Sequence, residues 1–210
     1  MAKQIEGVSE RILQCAKEEF LKNGYKDASL RVIAAAAGTS TNSIYVRFQD
    51  KQGLFRAIVE PAVDGMMKMF MDIQETFHQF DEQKQVETMG KYTADGMENI
   101  IDYIYENFDA FRLVLDASYG TEFQNFVDDL TRIEVEYTYK YMEVIGCESI
   151  RSGLVTEEFL HIVTNAYFDS IFEIVRHRMK KEDAKRYVKM LERYHMEGFD
   201  TIFSPEKYEG

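Results

Sequence analysis

The chain has no tryptophan, two prolines and two cysteines in 210 residues. With only Pro61 and Pro205 to interrupt it, and no tryptophan, the sequence favours a mostly helical chain. Cys15 and Cys147 stand alone with no CxxC spacing, which excludes a disulfide framework and points to a reducing cytoplasm. His78, His161, His177 and His195 form neither HExxH nor a paired i, i+4 ligand set, and no glycine-rich phosphate loop or nucleophile elbow is present. Catalytic residues, metals and cofactors are therefore not expected. Long apolar runs are missing as well, and Met1-Ala-Lys-Gln-Ile-Glu-Gly7 is polar, so neither a signal peptide nor a membrane partner is expected.

A surplus of positive charge is also lacking, since the formal net charge is −12. That number conceals a division. Residues 1–56 hold nine Lys/Arg against six Asp/Glu, whereas the remainder hold sixteen against thirty-one. Phosphate affinity comes from local cations, so the N-terminal segment is the one suited to a polyanion, and most of the later acid reads as a solvated surface.

What the sequence does hold is concentrated in Ser29–Phe48. Leu30, Ile33, Ala34 and Ala37 recur at helical spacing, with Ser29 placed to cap them. Gly38 falls where the chain must leave that helix, at a predicted positive φ. Ser40 can cap a second short helix that buries Ile44 and Phe48 and presents Thr41, Asn42, Ser43, Tyr45 and Arg47. Two short helices joined by a glycine turn, the second with small hydrogen-bonding side chains at its start, are the construction of a DNA-reading helix-turn-helix.

The ordered set Gly24-Tyr25, Ser29-x-Arg31-x-Ile33-Ala34-x-x-Ala37-Gly38-x-Ser40 and Tyr45-x-x-Phe48-x-x-Lys51-x-x-Leu54-Phe55 resembles the N-terminal domain of TetR-family transcriptional regulators. The resemblance covers roughly the first quarter of the chain. Val32 departs from the family's usual acidic residue, Thr39 from valine, and Arg47 from an aromatic residue or histidine; these departures bear on the operator sequence. The resemblance implies an all-α fold: a three-helix helix-turn-helix DNA-binding domain over 1–55, then a helical regulatory and dimerisation domain over 56–210. It also implies that Ser29, Tyr45 and Lys51 grip phosphates. Chemistry adds that Asn42 can pair bidentately with adenine and that the Thr41 methyl can pack on thymine. Ser40 and Ser43 are equally suited to capping, and Arg31 and Arg47 to phosphate contact or plain solvation.

Along the chain, helices are expected over about 9–23, 30–37, 41–48, 51–80, 84–106, a short one after Asn107, one after a Thr121–Gln124 capping box, 156–179 and 182–203, the last stopped by Ser204-Pro205. Pro61 predicts a kink or break in the fourth. Gly146 and Gly153 bracket a loop. Met89, Met97, Ile101, Phe108, Phe111, Phe123, Phe126, Tyr137 and Tyr141 are candidates for the wall of an effector pocket, against the plainer reading of each as core. Asp116, Glu134 or Asp169 would supply a charge for a cationic ligand. The last two helices carry more apolar residues than one buried face needs. Phe159, Val163, Ala166, Ser170, Leu191, Tyr194, Gly198 and Ile202 are the expected homodimer interface, in a four-helix arrangement.

The expected function is a cytoplasmic, homodimeric repressor that binds a double-stranded operator and is released by a small hydrophobic or aromatic effector. The alternative is a constitutive DNA-binding or architectural dimer whose acidic domain contacts another protein. A filled, cavity-free second domain would favour that alternative.

Overall fold

Caps and glycines decide where the helices begin and end in the computed structural model, which describes the backbone of residues 2–203 and the side chains of residues 7–203. Among the described residues there are ten helices and no strand: α1 Ala2–Asp27, α2 Leu30–Ala36, α3 Thr41–Phe48, α4 Lys51–His78, α5 Glu82–Glu106, α6 Phe108–Asp116, α7 Phe126–Val144, α8 Glu148–Arg151, α9 Glu157–Arg176 and α10 Lys181–Phe203. The first helix starts earlier than its apolar stripe does, and Gly24 breaks it at φ 72°, ψ 166°. Ser40 and Thr156 cap α3 and α9, their hydroxyls accepting from the Ser43 and Phe159 amides at 3.2 Å each. Asp50 caps α4, its Oδ1 accepting from Gly53 N at 2.7 Å. The Ser204-Pro205 stop lies outside the described residues.

Four local expectations are corrected. Ser29 precedes α2 in extended geometry, but its hydroxyl makes no cap bond; its amide instead donates to Glu19 Oε1 at 3.0 Å. Of the kink or break expected at Pro61, the break is absent, since α4 is continuous from Lys51 to His78. Pro61 and Ala57 both lie on the exposed side, so the carbonyl that loses its donor faces solvent, while Val59, Ala62 and Met66 are buried on the other face. The Thr121–Gln124 segment makes box-like bonds, Phe123 N to Thr121 Oγ1 (3.2 Å) and Gly120 N to Gln124 Oε1 (3.1 Å), but they close a turn, and α7 starts only at Phe126. Between Gly146 and Gly153 the loop winds into α8, whose Ser149 donates its hydroxyl to the Ile202 carbonyl at 2.6 Å.

The chain divides into two compact units. The first holds the residues up to Gly65 together with Asn107–Phe126; the second holds Met66–Glu106 and the residues from Val127 onward. Compared with a boundary at residue 55, the first unit gains α6 and the turn after it. The reason is burial: Phe111, Leu113 and Val114 are enclosed there, Lys17 pairs with Asp109 at 2.9 Å, and the Tyr25 amide donates to the Ala117 carbonyl at 2.9 Å. Its core is Ile12, Ala16 and Phe20 of α1 against Ile33, Ile44, Leu54 and Phe55, with Phe20 and Phe55 edge to face at 5.1 Å.

In the second unit α10 packs on α5, α8 and α9. Val135, Met142, Cys147, Val155, Leu160, Phe199 and Ile202 form one apolar cluster. Asp102 of α5 lies 3.0 and 2.8 Å from Lys181 and Lys185 of α10, and the hydrogen bonds from these two ammonium groups hold its carboxyl below the usual range.

Candidate functional site

The first unit presents a short helix on a rigid base. Gly38, at φ 64°, turns the chain between α2 and α3, and the Gly38 and Thr39 amides donate to Ala35 and Ala34 carbonyls at 3.1 and 2.9 Å. Ile44 anchors α3 in the core. Asn42 is exposed, Tyr45 is 50% exposed, and Thr41 and Ser43 are half-buried. Val46 is 74% exposed, one turn beyond Asn42 on the same helix. The sequence reading passed over it, although an apolar residue at i+4 from a candidate base reader is a usable signal, since a branched methyl side chain suits a thymine methyl.

The two candidate cations beside this helix are engaged within the unit. Arg47 donates from Nε to Ser9 Oγ at 3.2 Å and from Nη1 to the Ser43 hydroxyl and carbonyl at 2.6 and 3.1 Å, tying α3 to α1. Lys51 donates to the Lys26 and Ala28 carbonyls at 2.9 and 3.2 Å and stands 4.8 Å from the centre of the Tyr25 ring. Two of its three ammonium donors are thus spent, leaving one for a phosphate. Arg31 is exposed on α2. Gly53 permits the tight join of α3 to α4: a Cβ there would stand 2.0 Å from the Phe48 carbonyl oxygen. Gln49 makes the same turn at φ 68°.

The second unit contains a cavity of about 380 Å³. Of the candidate pocket residues, it brings together Met89, Met97, Tyr137 and Tyr141. Ile101 is buried on α5 but does not line it, and Phe108, Phe111, Phe123 and Phe126 belong to the first unit. The wall also takes Phe70, Phe77, Tyr92 and Phe168, and polar groups from four helices: Gln74, Glu134, Thr164 and Glu192. Gln74 donates to Glu134 Oε2 at 2.6 Å. His78 has both ring nitrogens against carbonyl oxygens, those of Gln74 at 2.9 Å and Tyr137 at 3.1 Å. Asp116 is exposed in the first unit and Asp169 pairs with Arg176 at 3.2 Å, so of the three acids considered only Glu134 lines the cavity.

A second, more open hollow of about 800 Å³ is lined by all eight candidate interface residues: Phe159, Val163, Ala166, Ser170, Leu191, Tyr194, Gly198 and Ile202. Tyr194 is 78% and Phe159 44% exposed. Tyr167 and His195, stacked at 3.8 Å and 8° from parallel, belong to the walls of both the hollow and the cavity. Burial pushes the His195 imidazole down to about 4 and the Tyr167 phenol up.

Among the described residues all elements are helices, and an exposed short helix behind a glycine turn has the construction of a helix-turn-helix. Comparison with known proteins agrees. Residues 12–58 match the family described as bacterial regulatory proteins, tetR family. An uncharacterized HTH-type transcriptional regulator of Haemophilus influenzae is 25% identical over 148 residues, 66% of this chain and 67% of that protein. The fold is similar to that of a TetR-family member from Streptomyces coelicolor, with 18% identity, TM-score 0.55, and coverage of 92% of this chain and 89% of the other. It is also similar to the TetR family transcriptional regulator PfmR from Thermus thermophilus, with 18% identity, TM-score 0.52, and coverage of 92% and 97%. Over residues 12–58 the chain is thus similar to bacterial regulatory proteins of the tetR family, and its fold is similar to that of TetR-family members. No described helix is long and apolar enough to cross a membrane.

Proposed function

We propose that the protein is a homodimeric repressor whose hold on its operator is released when a small, largely apolar or aromatic effector enters the cavity of the second unit. The observation that carries this reading is the cavity itself. A constitutive or architectural dimer has no use for a space of about 380 Å³ lined by rings and uncommitted polar groups, and close packing would ordinarily fill it. The hollow along α9 and α10, with exposed Phe159 and Tyr194 at its edge, supports self-association there. Asn42, Thr41, Tyr45 and Val46 supply the base-facing and backbone-facing chemistry, and a twofold arrangement would place two such helices on successive major grooves.

Release then follows from population shift: an effector acts only by its differential affinity for DNA-competent and DNA-incompetent states. The test is selection of bound duplexes from a random pool, followed by a compound screen for release of the selected duplex. A two-half-site consensus with release by cavity-directed compounds is expected. A consensus that no compound dislodges would return the constitutive reading.

A further inference from the structure

Two carboxyl groups that line the cavity join no ion pair among the described residues. Glu134 of α7 accepts one hydrogen bond, from Gln74, and joins no ion pair among the described residues. Glu192 of α10 likewise joins none, and its buried Oε1 has no hydrogen-bond partner. Thr164 of α9, 1% exposed, also lines the cavity with its Oγ1 unpartnered. Both carboxyls share the cavity wall with Tyr167, whose phenol is raised first by burial and then by their charges. Unpartnered polar groups in an apolar enclosure are costly, and a site keeps them where something else completes their bonds.

We infer that the cavity takes an organic cation: an aromatic or otherwise apolar body carrying one positively charged nitrogen, the charge held by Glu134 and Glu192 and the body by Phe77, Tyr92, Tyr141 and Phe168. The inference rests on reading the cavity as the effector site and narrows the class of effector. Ring faces add to the attraction, since their quadrupoles favour a cation that has left water. The acid excess after residue 56 favours the approach of cations from solution.

Burial lifts both carboxyl groups to about 7, so a bound cation would compete with their protons. The other charged groups around them are few. Glu98 of α5 raises Glu192 further and Lys189 of α10 lowers it. Lys189, Arg193 and Glu197 of α10 line the cavity from exposed positions, and the two ring nitrogens of His78 face the Gln74 and Tyr137 carbonyls, of which a neutral ring can donate to one. Burial keeps His195 neutral.

The test uses the full-length protein without DNA and two probes: thioflavin T, a benzothiazolium cation, and its uncharged N-demethylated analogue. They differ by one methyl group and the charge. Fluorescence titration should show the cation bound about tenfold or more tightly, with affinity rising several-fold between about pH 6 and about pH 8. Glu134→Gln and Glu192→Gln keep the side-chain volume and remove the charge. Each should weaken thioflavin T binding by about tenfold, leave the neutral analogue within about twofold, and flatten the pH dependence. Equal or tighter binding of the neutral analogue by the wild-type protein overturns the inference, whatever the variants do. Equal losses for both probes in the variants also overturn it, as does failure of both probes to bind. The effector reading is judged apart from these, by whether uncharged compounds release the selected duplex.

Discussion

Gly53 illustrates how one missing atom positions a reading helix. A methyl group there would meet a backbone carbonyl oxygen at 2.0 Å, and a backbone atom cannot swing aside as a side chain can. Gly53→Ala should therefore destabilise the first unit by about 2–4 kcal/mol, or displace α3 and lose operator binding. A thermal melt together with a DNA-binding titration checks it; a wild-type result in both would show that the α3–α4 turn tolerates opening. Asn42 makes a different kind of claim, because it is exposed and holds nothing in place. Asn42→Ala should leave the melt unchanged, cost about 1–3 kcal/mol of operator affinity, and relax the preference at one base position. Equal loss on every duplex would show that Asn42 does not read a base.

At the scale of elements, Pro61 lies on the solvent side of α4, so replacing it removes little packing and restores a donor for the Ala57 carbonyl. Pro61→Ala should raise stability by about 1–3 kcal/mol, read as a higher denaturation midpoint, with operator binding retained. A lower midpoint would mean that the helix needs the local geometry proline imposes. How far elements were legible beforehand depended on the range of the forces involved. Ser40, Asp50 and Thr156 cap through bonds to residues three positions on, and Gly38 answers to its own φ, so the sequence shows them directly. The apolar residues of α6 and of the segment leading into α7 were equally visible, but a stripe names a buried face and not what covers it. Phe111, Phe123 and Phe126 therefore read as pocket residues when their partners are in the first unit. Thr164 and Glu192 escaped notice for the same reason, since their neighbours come from distant stretches of chain. The bonds from Lys51 to the Lys26 and Ala28 carbonyls were hidden in the same way, their acceptors lying 25 and 23 residues away in sequence.

For the molecule as a whole, the assembly prediction turns on exposure. Tyr194 is 78% exposed in the single chain, so a charge there costs the fold little, whereas the same charge opposite a twin surface would be buried unpaired. Tyr194→Glu should melt like the wild-type protein yet sediment at 24.6 kDa, with weak operator binding because only one half-site remains. A variant that still sediments at twice that mass would move the interface elsewhere. The wall formed by Tyr167 and His195 then takes on a meaning of its own. If a ligand on one side of that stacked pair alters the surface offered on the other, occupancy and self-association become reciprocal quantities, each changing the other's equilibrium constant by one common factor. Sensitivity to the effector would then be set partly by how much of the regulator a cell makes, and a change in its abundance would retune the switch without altering any residue that touches ligand or DNA.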